Sequence, residues 1–152
     1  IRQATEADAP ELLELIRIAM AVYARNSGIG SLLESQRETL DELLAHLHAD
    51  HVLVAERRGR LIGTVRLVHG EDDMAYFSRF DVLPSLHLSG VGKRLYLAAE
   101  EWLRQQGVRC VRLHTALTNV PLVAFYESRG FRLVETKTTR GYPRGLFQKN
   151  LD

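Results

Sequence analysis

Residues 76–94 limit what this chain can fold into more than any other stretch. A strand-like apolar run from Tyr76 to Val82 gives way at Leu83-Pro84 to a short loop, Ser85-Leu86-His87-Leu88-Ser89-Gly90. Val91-Gly92-Lys93-Arg94-Leu95 then opens a pattern of helical period. A strand that turns through glycines into a helix start builds an anion site. The first N–H groups of the helix have no acceptor within it, and the helix dipole favours negative charge at that end. Gly90 and Gly92 let a ligand approach the backbone closely. Lys93 and Arg94 stand in the first turn, where the dipole alone favours Asp or Glu, so cations there fit a polyphosphate lying over them.

The rest of the chain reads as elements around this unit. Ile1 to Ala4 is a short strand, and Asp8-Ala9-Pro10-Glu11 is a helix start with Asp8 as cap. That helix should fail at Asn26-Ser27-Gly28. Ser35-Gln36-Arg37-Glu38 reads as a capping box for a second helix whose stripe is Leu40, Leu43, Leu44 and Leu47. Val52 to Glu56 and Leu61 to Val68 form a hairpin turned at Arg58-Gly59. After the long helix ended by Gly107 come a strand from Val108 to Thr115 and a short helix from Pro121 to Ser128. Two strands follow, Phe131 to Thr138 and Gly145 to Leu151. The order is strand, two helices, three strands, helix, strand, helix, two strands. Early neighbours should pair antiparallel, and the crossover from Tyr76 to Thr115 should be parallel and right-handed. The class is α/β (α+β), with a mixed, mostly antiparallel sheet of six to seven strands and helices on both faces. Residues 1–152 fit a single domain.

Charge and cysteine content narrow the function classes. Twenty Lys and Arg against nineteen Asp and Glu leave a formal charge of +1, which argues against a nucleic-acid or membrane-surface partner. No apolar run approaches the roughly 20 residues of a membrane span. Cys110 is the only cysteine, so no internal disulfide forms, and its neighbours Val108 and Val111 mark a buried strand thiol rather than a nucleophile. With no secretory leader, a cytoplasmic protein is the expectation. His46, His48 and His51 invite a metal reading, but helix positions two apart do not share a face. Histidines favoured by a helix C-terminus explain them better, and no metal is expected. Ser89 has no His or Asp arrangement beside it that would make it a nucleophile.

Three glycine-loop patterns compete for the anion site. The P-loop requires a first glycine where His87 stands and Ser or Thr where Arg94 stands. The dinucleotide fingerprint requires a third glycine where Leu95 stands. The third pattern is Gln/Arg-x-x-Gly-x-Gly/Ala after a strand and opening a helix, and His87-Leu88-Ser89-Gly90-Val91-Gly92 meets it except at its first position. Downstream, Asn119, then Phe125-Tyr126, then Gly130-Phe131 supply a second match. On these residues the chain resembles the GNAT superfamily, acetyl-coenzyme-A-dependent N-acyltransferases, and the order of elements resembles that fold over nearly the whole length.

The resemblance implies acetyl-CoA as co-substrate and a primary amine that attacks its thioester carbonyl. It implies that His87, Leu88, Ser89, Gly90, Val91, Gly92 and Lys93 hold the pyrophosphate. His87 departs from the usual Gln or Arg and offers less charge if neutral. It further implies that the strand ending at Val82, with Leu83 and Pro84, pairs with the pantetheine arm. The Val82 N–H would polarise the thioester oxygen, a type of contact worth ~3 kcal/mol. Asn119 would contact the pantetheine or the start of the next helix, and Tyr126 would protonate the leaving thiolate. The general base stays open. Many relatives place a glutamate where this chain has Tyr76. Asp81, Glu71, Asp72 and Asp73 are the nearby acids, and a water relay or a neutral amine needs none of them.

The acceptor site is expected between residues 23–33 and 139–144, because loops carry specificity. Tyr23, Tyr76, Arg140 and Tyr142 are the substrate-binding candidates, and Arg25 and Arg144 join Arg140 as arginine forks for a carboxylate. His114 is expected at a solvent-facing strand position. The favoured function is N-acetylation of a small or amino-acid-like amine. Against it stand a protein N-acetyltransferase and a non-catalytic acyl-CoA-binding module. Ser78-Arg79-Phe80 adds a longer-chain acyltransferase of the signal-lactone type. A homodimer is left open.

Overall fold

The computed structural model describes residues 1–30, 36–138 and 140–151. Seven strands form one sheet in the order β1-β2-β3-β4-β5-β7-β6. They are β1 (Arg2–Gln3), β2 (His51–Arg57), β3 (Arg60–His69), β4 (Met74–Val82), β5 (Cys110–Ala116), β6 (Arg132–Lys137) and β7 (Arg144–Asn150). Four helices accompany them, α1 (Ala9–Asn26), α2 (Leu40–Ala49), α3 (Val91–Gln105) and α4 (Val120–Ser128). Every pairing is antiparallel except β4 with β5. The mixed, mostly antiparallel sheet expected from the sequence is therefore present. No described helix is long and apolar enough to cross a membrane.

Local chemistry explains most boundaries. Arg58 and Gly59 have φ of 52° and 77°, the paired left-handed residues that turn a two-residue hairpin. Gly107, at φ 77°, ends the turn after α3. Two expected helix starts are corrected. Asp8 does not cap α1; its carboxylate accepts from the Arg2 guanidinium at 2.8 and 2.9 Å and from the Thr5 N–H at 2.7 Å. Of the capping box read at 35–38, Ser35 lies outside the described residues, and Glu38 is buried for another purpose. Thr39 caps α2 instead, with Thr39 Oγ1 accepting from the Glu42 N–H and Glu42 accepting from the Thr39 N–H.

The two faces of β3 carry different layers. A Cβ at Gly63 would lie 2.7 Å from Leu95 Cδ1 and 3.2 Å from Val91 Cγ1, so only glycine lets α3 press this closely on that face. On the opposite face Arg66 reaches Glu38, just before α2. Helices thus cover both faces. Phe77, Tyr96, Phe125, Tyr126 and Phe131 interlock as an aromatic cluster under α3 and α4, with ring centroids 5.7–6.2 Å apart.

One irregularity positions everything that follows. In the ladder between β3 and β4, Arg66 pairs with Ser78 and Thr64 with Asp81. Two residues, Arg79 and Phe80, therefore stand opposite the single Val65. This is a β-bulge, and Arg79 takes the left-handed φ of 48° at its centre. The parallel pairing of β4 with β5 stops at Tyr76 with Arg112. Beyond that point the two strands run on to Val82 and Ala116 without each other, and the sheet is split.

Candidate active site

The split leaves backbone groups on both strands facing a gap. Leu83 N–H donates to the Ile62 carbonyl at 2.9 Å, so by strand alternation the Val82 N–H and C=O point away from β3, into the gap. On the other side, the Ala116 N–H donates to the Tyr23 hydroxyl at 2.7 Å, and that hydroxyl lies 3.4 Å from Thr115 Oγ1. The Tyr23 phenol, delivered by α1, does for the end of β5 what a paired strand would do.

Past Val82 the chain makes a single 3-10 turn over Pro84–Leu86 and enters α3 with Gly90 as N-cap at φ 88°, a conformation that favours glycine. The first helical bond runs from the Arg94 N–H to the Gly90 carbonyl, so the N–H groups of Gly92 and Lys93 precede any intrahelical acceptor. A Cβ at Gly92 would meet Phe80 Cζ at 3.5 Å and Val82 Cγ2 at 3.8 Å, which places this end of α3 against the end of β4. Leu88 is fully exposed, so only its backbone has a polar role. Ser89 Oγ donates to the Leu86 carbonyl at 2.6 Å and accepts from the Val91 N–H at 3.4 Å, bracing the loop. The His87 ring turns back, and its Nε2–H donates to the Val82 carbonyl at 3.0 Å. As this structure stands, that ring stitches the loop to the strand end.

On the α1 and α2 side of the split lies a cavity of about 380 Å³. Tyr23, Tyr76, Arg140 and Tyr142, all expected from the sequence, line it together with Arg144. Arg25 is exposed at the end of α1 and is not part of the wall. Among the cavity's other lining residues are His46, Arg66, Arg79 and His114, none of them expected there. Arg66 is buried and held by Glu38 through two parallel hydrogen bonds of 2.8 and 2.9 Å. Arg79 is presented by the bulge. His114 is exposed, as a solvent-facing strand position should be, but the space it faces is this cavity. Its Nδ1 is hydrogen-bonded to the Tyr76 hydroxyl. No Asp or Glu stands among the described lining residues.

The surroundings tune both members of that pair. Burial raises the Tyr76 phenol, against the opposing pull of Arg144, His114, Arg140 and Arg79. Burial lowers the His114 imidazole below its usual 6.5, and Arg144, Arg140 and Lys137 push it the same way. Beneath the bulge, Asp81 is fully buried and its carboxyl is pushed up to about 7 by desolvation, with Arg79 and Arg66 pulling the other way. It does not line the cavity.

Tyr126 comes from α4, on the far side of the split, and reaches the same cavity. Its ring packs against Phe77, Phe80, Phe125 and Phe131 at 5.7–6.3 Å. Burial, with Tyr23 and Asp81 adding to it, holds the phenol well above its usual value of 10, so it is protonated at neutral pH. Asn119 caps α4: its Oδ1 accepts from the Leu122 N–H at 3.4 Å and its Nδ2 donates to Ser27 Oγ at 3.3 Å. The expected contact with the start of the next helix is thus present. Among the described residues no group of His, Cys, Asp and Glu could hold a metal. His46 pairs with Asp50 at 2.7 Å, His48 with Glu6, and His51 stacks on Trp102 at 3.8 Å.

A signal for one missed residue was present. Arg66 sits inside the apolar run Leu61 to Val68, and a charge in a strand buried on both faces requires a partner. For Arg79 there was none, because a bulge leaves no mark in a strand-like stretch.

Comparison with known proteins agrees with this architecture. A family model described as Acetyltransferase (GNAT) family matches residues 30–131. An uncharacterized N-acetyltransferase of Bacillus subtilis (strain 168), YhfO, is 27% identical over 139 residues, covering 86% of this chain and 88% of that protein. An uncharacterized N-acetyltransferase of Escherichia coli (strain K12), YjgM, is 27% identical over 140 residues, covering 89% and 83%. Among solved structures, the PaiA N-acetyltransferase from Thermoplasma acidophilum in complex with coenzyme A superposes with a TM-score of 0.83. It does so at 22% identity, over 99% of this chain and 97% of that one.

Proposed function

The chain belongs to the acetyltransferase (GNAT) family and is an acetyl-CoA-dependent N-acetyltransferase; on that premise we propose that it acetylates the primary amine of a small, amino-acid-like acceptor carrying a carboxylate, with Tyr126 as general acid. The observation that carries the acceptor reading is the charge of the cavity. Arg66, Arg79, Arg140 and Arg144 line it with no acid among the described lining residues. A carboxylate on the acceptor suits this charge through the paired N–H donors that arginine presents.

The residues present fit the cofactor. The free N–H groups at the start of α3, with Lys93 and Arg94 in its first turn, suit a pyrophosphate. The Val82 N–H, aimed into the gap and followed by Leu83 and Pro84, suits an extended arm bearing an amide or thioester oxygen. Acetyl-CoA supplies an activated acyl group and a thiolate leaving group. Tyr126 is a phenol, protonated at neutral pH, and burial raises its proton affinity further; burial raises the proton affinity of a thiolate by the same physics. The phenol is therefore available as a proton donor to a leaving thiolate.

The test is a thiol-release assay with acetyl-CoA and three sets of acceptors: the standard α-amino acids, their decarboxylated amines, and a peptide with an N-terminal alanine. An amino acid is expected to be turned over at least about tenfold faster than its decarboxylated counterpart, the worth of one charged hydrogen bond. Preference for the decarboxylated amine or the peptide would discard the carboxylate. Tyr126→Phe should slow turnover by roughly ten- to a thousand-fold while calorimetry finds CoA binding unchanged. A variant as fast as the wild type takes Tyr126 out of the chemistry.

A further inference from the structure

An amine that reaches the site at neutral pH arrives as an ammonium ion and must lose a proton before it attacks. The cavity holds no carboxylate among its described lining residues to take that proton. It holds two groups that are hydrogen-bonded to each other on the acceptor side of the split, the Tyr76 hydroxyl and His114 Nδ1. Their rings are 5.6 Å apart, and both line the same cavity as Tyr126. We propose that the Tyr76–His114 pair is the proton acceptor for the acceptor ammonium, a role that rests on the amine-acetylation reading above.

The step balances without any further reactant. An N–H bond of the ammonium breaks as a new O–H bond forms at Tyr76. The original Tyr76 O–H breaks as its proton moves to His114 Nδ1. The products are a neutral amine and an imidazolium, and the exposed edge of His114 returns the proton to water. The second proton, lost by the nitrogen after it attacks, balances the proton that Tyr126 gives to the leaving sulfur. One proton is thus released per turnover, through His114.

The surroundings support this direction of flow. Tyr76 has a proton to pass on, because burial keeps its phenol from ionising. His114 has a free lone pair at neutral pH, because burial and the cations around it hold the ring neutral. The charged groups facing it are Arg144 on β7, Arg140 on the loop before it, and Lys137 and Glu135 on β6, with Tyr76 on β4. Three cations against one acid make the free imidazole a weak base. A carboxylate bound by Arg140 and Arg144 would remove part of that field, so the imidazole would gain basicity when an acceptor is in place.

The experiment compares wild type, His114→Gln and Tyr76→Phe in kcat/KM against pH, using acetyl-CoA and whichever standard α-amino acid the wild type turns over fastest. The wild type should hold a plateau that extends below the ordinary imidazole value of 6.5. His114→Gln should lose about 100-fold at pH 7, then rise with pH and close on the wild type as the acceptor's own amine titrates. Tyr76→Phe should show the same slope. CoA binding by calorimetry should be unchanged in both, which shows that the fold is intact. Losses equal at every pH would mean that the pair only shapes the cavity, and the proposal falls. Wild-type turnover of an amine with His114→Gln equally fast overturns this role alone. If the wild type turns over no amine, the amine-acetylation reading fails first and takes this role with it.

Discussion

Residues 82–94 lie on one unbroken stretch of chain, whereas the cavity draws Tyr23, Arg66, Tyr76, His114, Tyr126 and Arg144 from six different elements. The first region offers backbone N–H groups and carries glycines at set places, so its identity is carried by order along the chain. The second works through side chains that meet only because β4 bulges and parts from β5. A contiguous site should fail when one of its own residues changes. A distributed site should also fail when a residue that supports a wall changes, even one that never meets a substrate.

Glu38 offers the strongest way to break that distinction. It is buried beside Arg66 with side chains exposed to only 4% each, and its own carbonyl accepts from Arg17 on α1 at 3.2 Å. Glu38→Ala leaves the Arg66 guanidinium buried and unpaired, which should cost about 3–5 kcal/mol of stability. It should raise the acceptor KM while CoA affinity at the other region holds in the folded fraction. Urea unfolding, steady-state kinetics and CoA calorimetry separate these effects. A variant of unchanged stability would mean that Arg66 finds another partner and that this wall does not depend on the pair.

The contiguous region is tested by an opposite pairing of effects. Position 92 has room for a side chain, since its Cβ would make only ordinary contacts with Phe80 and Val82. Gly92→Asp puts a carboxylate over the free N–H groups at the start of α3. The helix should gain up to about 0.5 kcal/mol from the dipole. CoA binding should weaken by about 100-fold, or about 3 kcal/mol, because the anion site is then occupied and repels phosphate. A melting temperature that holds or rises together with lost CoA binding supports the anion site at this helix end. CoA binding as in the wild type would move the pyrophosphate elsewhere.

What was legible in the sequence follows the same division. Strands, helix ends and the hairpin at Arg58-Gly59 came from local signals, and so did the strand–loop–helix unit. Arg140, Tyr142 and Arg144 are expected near an acceptor because loops carry specificity, and Tyr76 because many relatives place a glutamate there; all four line the cavity. The sequence predicts a solvated strand position for His114, because alternation says which face a residue occupies, not whether the next strand is still there. Arg79 was invisible because its importance comes from a left-handed backbone that only the bulge creates. Glu38 was read as half of a capping box, since Ser or Thr followed three residues later by Glu is a local pattern. Nothing local announced that Arg66, 28 residues away, would claim it.

Asp81 lies where the two regions meet, between Arg79 of the cavity and Val82 of the gap, and it sharpens the comparison through pH. Its Oδ2 is buried without a hydrogen-bond partner. Burial raises its carboxyl from 3.8 to about 7, so between those values the folded chain keeps a proton that the unfolded chain has released. Stability from this group is therefore complete below about 3.8, declines as pH rises, and is lost by the time pH passes about 7. A shift of that size corresponds to about 4 kcal/mol at most; local relaxation and water entry reduce it, and about 2 kcal/mol is expected. Asp81→Asn should match the wild type near pH 4 and exceed it by that amount near pH 8, as read from urea midpoints of the pair at each pH. Taking the difference between the two proteins cancels every other titrating group. A difference that does not change with pH would mean that Asp81 is ionised throughout. Its charge would then oppose that of Arg79 from beneath, and the case for a carboxylate on the acceptor would weaken.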